Sequence, residues 1–186
     1  MSEGVRLPEI TVKSVILGVV LSVVLGAANA YLGLFAGMTV SASIPAAVIS
    51  MGILSVFRNS NILENNIVQT AASAGESLAA GVIFTIPALV LMGYWQEFDY
   101  LEIAKISGIG GLIGVLFTIP LRRALIIEAD LAYPEGVATA EVLRTGEEAR
   151  SGDASGSGIA GLLILAKSAF VGGLMKLCYQ GFAMWE

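Results

Sequence analysis

The chain has 186 residues and a formal net charge of −5; 56% of its residues are hydrophobic and only 13% are charged, about half the charged share of a soluble domain. Because histidine is absent and cysteine occurs once, the sequence excludes an intrachain disulfide, a cysteine- or histidine-based metal site and imidazole proton transfer. The sequence has no basic block, so nucleic acid is not an expected partner. The high hydrophobic and low charged content predicts an all-α protein embedded in the lipid bilayer. We expect no metal or other cofactor.

The first long apolar run covers residues 14–34 and reaches about 30 Å as a helix, enough to span a bilayer. A cleaved signal peptide is the alternative, since residues 28–30 (Ala-Asn-Ala) resemble a cleavage site. Acidic residues before the run and apolar residues beyond that site favour a span. A second apolar run, 39–57, follows a very short turn and contains Pro45, so we predict an antiparallel hairpin of two spans.

The next stretch combines polar and apolar character. Residues 67–95 would measure about 44 Å as one helix, longer than a hydrocarbon core of about 30 Å. The polar patch at 69–77 contains Gly75, and we predict that the helix breaks there. The prediction is a half-helix at 62–75, followed by a span at 76–95 that ends in an interfacial aromatic pair.

The rest of the chain is predicted to hold two more spans around a hydrophilic stretch. They are a span at 106–127, an amphipathic helix at 134–145, a flexible linker at 147–158 and a last span at 159–182. Five spans put nearly all loop lysines and arginines on the side of the N-terminus. The positive-inside rule therefore predicts one multi-pass membrane domain, 1–186, with a cytoplasmic N-terminus.

Glu76 is the first candidate functional residue. A carboxylate at membrane depth is costly, and it marks a functional site by default, here as a proton carrier or a ligand for a substrate amine. The alternative is an acid at the start of a helix, near the interface, where the positive helix end favours it. The two interpretations differ in the depth of Glu76, which the sequence leaves open.

Other polar residues have both a functional and a structural interpretation. Gln69 and Ser73 share a helix face and, together with Thr70, line a substrate path or form interhelical hydrogen bonds. Asn29 and Tyr31 lie near the end of the first span as further pathway candidates. For Asn29, a turn or an interhelical contact is the alternative.

Three passages resemble the oligopeptide transporter family, in its prokaryotic branch close to the yellow-stripe-like metal-chelate transporters. They are GAANAYLGL and GMTVSASIP within residues 26–45, NILENNIVQTAASAGES at 61–77, and YPEGVATAEVL at 133–143. The resemblance runs over nearly the whole chain. It implies a proton-coupled symporter that imports small peptides or metal chelates across the cell (inner or plasma) membrane.

Members of that family are several times longer, so the chain resembles their N-terminal portion. The resemblance also implies a pore- or gate-proximal position for the Tyr-Pro-Glu-Gly passage, namely Tyr133, Pro134, Glu135 and Gly136. A cytoplasmic helix cap is the alternative for that passage. The expected partners are the lipid bilayer, the remainder of a transporter or further copies in a homo-oligomer, and a small peptide or chelate substrate.

Two other functions stay open at this point. The short chain is also compatible with a small membrane scaffold or assembly subunit that does not transport. An intramembrane enzyme is disfavoured, because the sequence lacks histidine and has no defensible Ser-Lys or paired-Asp arrangement. We therefore expect a transport protein rather than an enzyme.

Overall fold

The structure is a computed structural model that describes residues 7–57, 60–129 and 131–151, and short runs of two or three residues between 167 and 179. This part of the chain is helical and contains no strand. Its elements are α1 (Val12–Ala36), α2 (Ser43–Leu54), α3 (Ile62–Leu91), α4 (Tyr100–Arg122), a π-helical continuation of α4 (Arg123–Glu128) and α5 (Pro134–Ser151). Most of the predicted last span, 159–182, lies outside the described residues.

Three of the described helices are long and apolar enough to cross a membrane: Val12–Ala36, Ile62–Leu91 and the combined segment Tyr100–Glu128. Each exceeds the roughly 20 residues that a crossing requires. The predicted all-α, polytopic membrane architecture is confirmed.

Helices α1 and α3 pack side by side and run in the same direction. Gly18, Gly26 and Gly33 of α1 are buried. Gly18 lies against Val68 and Ala71 of α3, Gly26 lies against Gly75, and Gly33 lies against Ile83. The contacts advance together along both helices, so the pair is parallel. Small residues at such an interface allow two helix backbones to approach closely, which is the usual way that membrane helices associate.

The segment that connects α1 to α3 is helical over only about half of its length. The segment 37–42 is not helical, and it begins at Gly37, whose φ of 68° is in the left-handed region. Helix α2 then has 12 residues, about 18 Å, which is short of a hydrocarbon core of about 30 Å. The second span predicted at 39–57 is therefore a non-helical segment followed by a half-helix.

Helix α2 runs antiparallel to α3 and is tied to it by hydroxyl groups. The Ser43 and Ser73 hydroxyls lie 3.1 Å apart. About two helical turns further along, Ser50 Oγ donates to Asn65 Oδ1 at 3.0 Å. The half-helix therefore descends from the middle of α3 towards its start.

Helix α3 is continuous over 30 residues, so the predicted break near Gly75 and the half-helix at 62–75 are corrected. The helix begins in a capping box, in which the Asn61 side chain accepts from the Glu64 N–H and the Glu64 side chain accepts from the Asn61 N–H. Gly75 lies inside the continuous helix. It allows a close contact between α3 and Ser22 of α1. The half-helix of this region is α2.

Helix α5 packs on α2 and is longer than predicted. Ala47 of α2 forms a buried cluster with Val142 and Leu143 of α5. The helix does not end at 145 and continues through Gly146. Gly146 contacts Met51 of α2, and a Cβ atom at this position would collide with the Met51 side chain. The helix continues to Ser151, into the predicted linker, and residues 152–158 of that linker lie outside the described part of the chain.

Candidate functional site

A cavity of about 790 Å³ opens between the 37–42 segment, α2, α3 and α5. Along α3 its wall extends from Ile62 to Ser77, about 22 Å at about 1.5 Å per residue. The cavity therefore reaches from the start of α3 to the middle of that helix. Five predicted site residues line it: Gln69, Ser73, Glu76, Tyr133 and Glu135.

Glu76 lies at the inner end of this cavity, halfway along the 30-residue helix α3. Its side chain is only 8% exposed. An acid at the start of a helix would instead lie near the interface, so that interpretation is corrected. A buried carboxylate at the middle of a membrane-spanning helix faces a protein interior or a watery cavity, and it is a functional candidate.

Asn29 connects Glu76 to the non-helical segment. Its side chain is 2% exposed, and Nδ2 donates to Glu76 Oε1 at 2.6 Å. At the other end of the same amide, Oδ1 accepts from the Val40 backbone N–H at 3.0 Å. Asn29 of α1 thus contacts both α3 and the 37–42 segment. Both of its partners, Glu76 and Val40, line the cavity.

The N-terminal ends of α2 and α5 meet at the cavity. The Ser41 hydroxyl, just before α2, donates to the carboxylate of Glu135 in the first turn of α5. The two helices are parallel, since Met51 near the end of α2 lies beside Gly146 near the end of α5. Their positive ends therefore face the same space, where the Glu135 carboxylate is electrostatically favoured.

Tyr133 fixes the entry of the chain into α5. Its hydroxyl donates to the Leu125 carbonyl at 2.8 Å, inside the π-helical turn that continues α4. The wide turn is also closed by an ion pair of 2.7 Å between Arg123 and Glu128. The Tyr133 side chain thus links the end of α4 to the cavity wall.

Besides Asn29, which contacts the lining residues Glu76 and Val40 without itself lining the cavity, two predicted site residues do not line it. Thr70 is exposed and donates to the Asn66 carbonyl of its own helix at 2.8 Å. Tyr31 is 67% exposed and stacks on Phe35 with ring centroids 5.9 Å apart, on the outer surface of α1. Their side chains contribute to the helix surface rather than to the site.

The structure adds residues that the sequence reasoning missed. Ser41 and Arg144 line the cavity, and the only signal for Ser41 is its position just before a helix start. Glu64, fully buried, lies 2.9 Å from Lys13 Nζ and accepts from the Thr11 hydroxyl at 2.6 Å. The Asn-x-x-Glu capping pattern marks Glu64 in the sequence. In the described part of the chain, no cluster of three or more acids or cysteines can hold a metal ion.

Comparison with known proteins places the chain in a family. Residues 9–185 match the family model described as OPT oligopeptide transporter protein. A putative oligopeptide transporter of Haemophilus influenzae is 48% identical over 151 residues, covering 81% of this chain and 23% of that protein. Metal-nicotianamine transporter YSL3 of Arabidopsis thaliana is 31% identical over 156 residues, covering 71% of this chain and 23% of that protein.

A putative oligopeptide transporter of Saccharomyces cerevisiae, YGL114W, is 27% identical over 157 residues, covering 74% of this chain and 22% of that protein. No solved structure matches the chain. The chain spans about a quarter of the length of the curated relatives it matches. Because the family model covers nearly the whole chain, this membrane protein belongs to the oligopeptide transporter family.

Proposed function

We propose that the chain is the N-terminal part of a proton-coupled secondary transporter that imports small peptides or metal-chelate substrates across the cell membrane. Its relatives are named oligopeptide and metal-nicotianamine transporters. Since the chain spans about a quarter of their length, the complete substrate pathway would include further transmembrane segments or further copies of the chain.

The position of Glu76 is the observation that carries this proposal. Its carboxylate lies at the inner end of the cavity and halfway along a helix that is long and apolar enough to cross a membrane. A carboxylate in this setting can exchange a proton with a water-filled path, or it can bind the amine of a peptide. The cavity volume, about 790 Å³, lies within the range of sites that hold small molecules.

The helix starts that meet at the cavity support alternating access. Secondary transporters commonly place their substrate site where discontinuous helices begin near the membrane midplane. Here α2 and α5 both begin at the cavity, each after a non-helical segment, and the carboxylate of Glu135 lies between their ends. If the N-terminus is cytoplasmic, the cavity opens to the cytoplasm, and the inner end at Glu76 is where the path from the outside would arrive.

Uptake by proteoliposomes that contain the chain tests this function. Labelled small peptides, and separately a labelled metal chelate, are supplied with and without an inward proton gradient. We expect gradient-driven uptake that Glu76→Gln abolishes. The matched control is Glu141→Gln, because the Glu141 side chain is 70% exposed on α5 and does not line the cavity.

Uptake by Glu76→Gln with unchanged pH dependence would contradict the proton role of this residue. A complete lack of uptake by the parent protein would favour the alternative function, a non-transporting membrane scaffold or assembly subunit. Native mass spectrometry of the same preparation shows whether the chain forms a homo-oligomer or retains a different membrane partner, which separates the scaffold from an incomplete transporter.

A further inference from the structure

We propose that Asn29 is a positioning residue that couples the protonation of Glu76 to the conformation of the 37–42 segment. The proposal rests on the proposed role of Glu76 as a proton carrier, and it deepens that role by naming what the proton moves. The observation behind it is the chain of two hydrogen bonds from the Val40 backbone, through the Asn29 amide, to the Glu76 carboxylate.

The Asn29 amide has only one orientation that satisfies both neighbours when Glu76 is ionised. The backbone N–H of Val40 can only donate, so it requires the amide oxygen. An ionised carboxylate can only accept, so it requires the amide nitrogen. The two contacts therefore reinforce each other, and the bond to the charged carboxylate is the stronger kind, roughly twice as strong as a neutral one.

Protonation of Glu76 removes this constraint. The neutral carboxyl group becomes a donor as well as an acceptor, so it can offer its O–H to the Asn29 amide oxygen. That oxygen is the acceptor on which the Val40 N–H depends. A proton on Glu76 thus removes the charge-assisted bond that fixes the amide and adds a second donor to the oxygen that holds the Val40 N–H, so the hold on the 37–42 segment weakens.

The segment is sensitive to this change because its backbone is not helical. Inside a membrane, a backbone N–H without a partner is expensive, and non-helical backbone persists only where protein groups or cavity water satisfy it. Asn29 supplies one such group, and it is itself nearly fully buried. When the amide is diverted, the Val40 N–H turns to cavity water or to a substrate carbonyl, and the wall of the cavity opens.

The effect of Glu76 on labelling must be distinguished from the effects of other titratable groups nearby. Helix α2 carries no titratable side chain, and α4 contributes no residue to the cavity wall. On α1, Lys13 lies at the far end of the helix. Around α5, however, Tyr133, Glu135 and Arg144 line the same cavity. Glu135 is the other carboxyl group on this wall, so it needs its own control.

Thiol labelling of the segment tests the proposal without measuring transport. The chain has a single cysteine, so Cys178→Ser gives a cysteine-free background. Val40→Cys then places a thiol on a residue that is 56% exposed and lines the cavity, while its backbone N–H is kept. The rate of labelling by a water-soluble maleimide is measured from pH 5 to pH 8, and each rate is divided by that of the Glu76→Gln variant to remove the pH dependence of the thiol.

We expect the normalised labelling rate to be about fivefold lower with Glu76 ionised than with Glu76 protonated, which is the effect of one ordinary hydrogen bond on a conformational equilibrium. Asn29→Ala should give fast labelling with no such pH dependence. Asn66→Ala is the matched control, because Asn66 also lines the cavity but its variant should keep the parent profile. Glu135→Gln should keep the profile too.

The double variant Asn29→Asp/Glu76→Gln guards against a simple loss of folding. It restores an amide–carboxylate pair with the carboxylate moved to α1, so pH-dependent labelling should return. A profile that survives Asn29→Ala, or that disappears in Glu135→Gln, overturns the proposal. If labelling behaves as expected but Glu76→Gln transports normally, the proposed proton-coupled function fails while the coupling through Asn29 stands.

Discussion

Lys13 Nζ lies 2.9 Å from Glu64 Oε2, and this ion pair joins the first turns of the two parallel helices α1 and α3. The Glu64 side chain is fully buried, whereas that of Lys13 is 26% exposed. The Thr11 hydroxyl and the Asn61 backbone N–H also donate to the Glu64 carboxylate. The cluster therefore fixes the register of α1 against α3 at one end, and the Asn29–Glu76 contact fixes it at the middle.

The first prediction concerns this ion pair. Lys13→Met should leave a buried carboxylate without its cation and should destabilise the protein by about 3 kcal/mol, since removing one partner of a buried pair costs about 3–5 kcal/mol. The double variant Lys13→Met/Glu64→Gln should recover most of the loss, because no unpaired charge remains. Thermal unfolding in detergent measures both. Equal unfolding temperatures for Lys13→Met and the parent protein would contradict a structural role for the pair.

The second prediction concerns the close approach of α1 and α3 at Gly75. A Cβ atom at this position would collide with the Ser22 side chain and lie 3.1 Å from the Ser22 carbonyl oxygen. Gly75→Ala should therefore destabilise the protein by about 1–3 kcal/mol through overpacking.

Gly81→Ala is the matched control for Gly75→Ala, because Gly81 lies on the same helix and has nothing within 4 Å of its Cβ position. Alanine favours the helix over glycine by about 1 kcal/mol, so this variant should be neutral or more stable. A higher unfolding temperature for Gly75→Ala than for the parent protein would show that the two helices are not in close contact at this point.

Length and hydropathy were sufficient to predict membrane helices, but not to locate the half-helix. The long apolar run of α1 and the run after Tyr100 both gave helices of spanning length. The sequence assigned the break to Gly75 because glycine and polar residues are typical of interrupted helices. The same residues are equally suited to packing against another helix, and the choice between the two depends on Ser22, which is distant in sequence.

Some residues of the candidate site could be predicted from the sequence, whereas the contacts between them could not. Glu76, Gln69 and Ser73 could be found from the sequence, because polar side chains in an apolar stretch face away from lipid. The positions of Tyr133 and Glu135 followed only from the family resemblance. No local pattern indicates that Ser41 meets Glu135, or that Asn29 meets Glu76, since both pairs are formed by the packing of different helices.

The last prediction separates two adjacent residues of α3 that the sequence could not distinguish. Gln69 lines the cavity, whereas Thr70, about 100° further around the helix, is exposed and bonds to its own backbone. In the proteoliposome assay, Gln69→Ala should raise the substrate concentration required for half-maximal uptake by about fivefold to tenfold, the effect of losing one hydrogen bond of about 1 kcal/mol or slightly more. Thr70→Ala should change it little, because the side chain does not line the cavity and its contact with Gln69 Oε1 is long, at 3.4 Å. The opposite order of effects would mean that substrate passes along the outer face of α3, which would place the pathway outside the cavity formed by α2, α3 and α5.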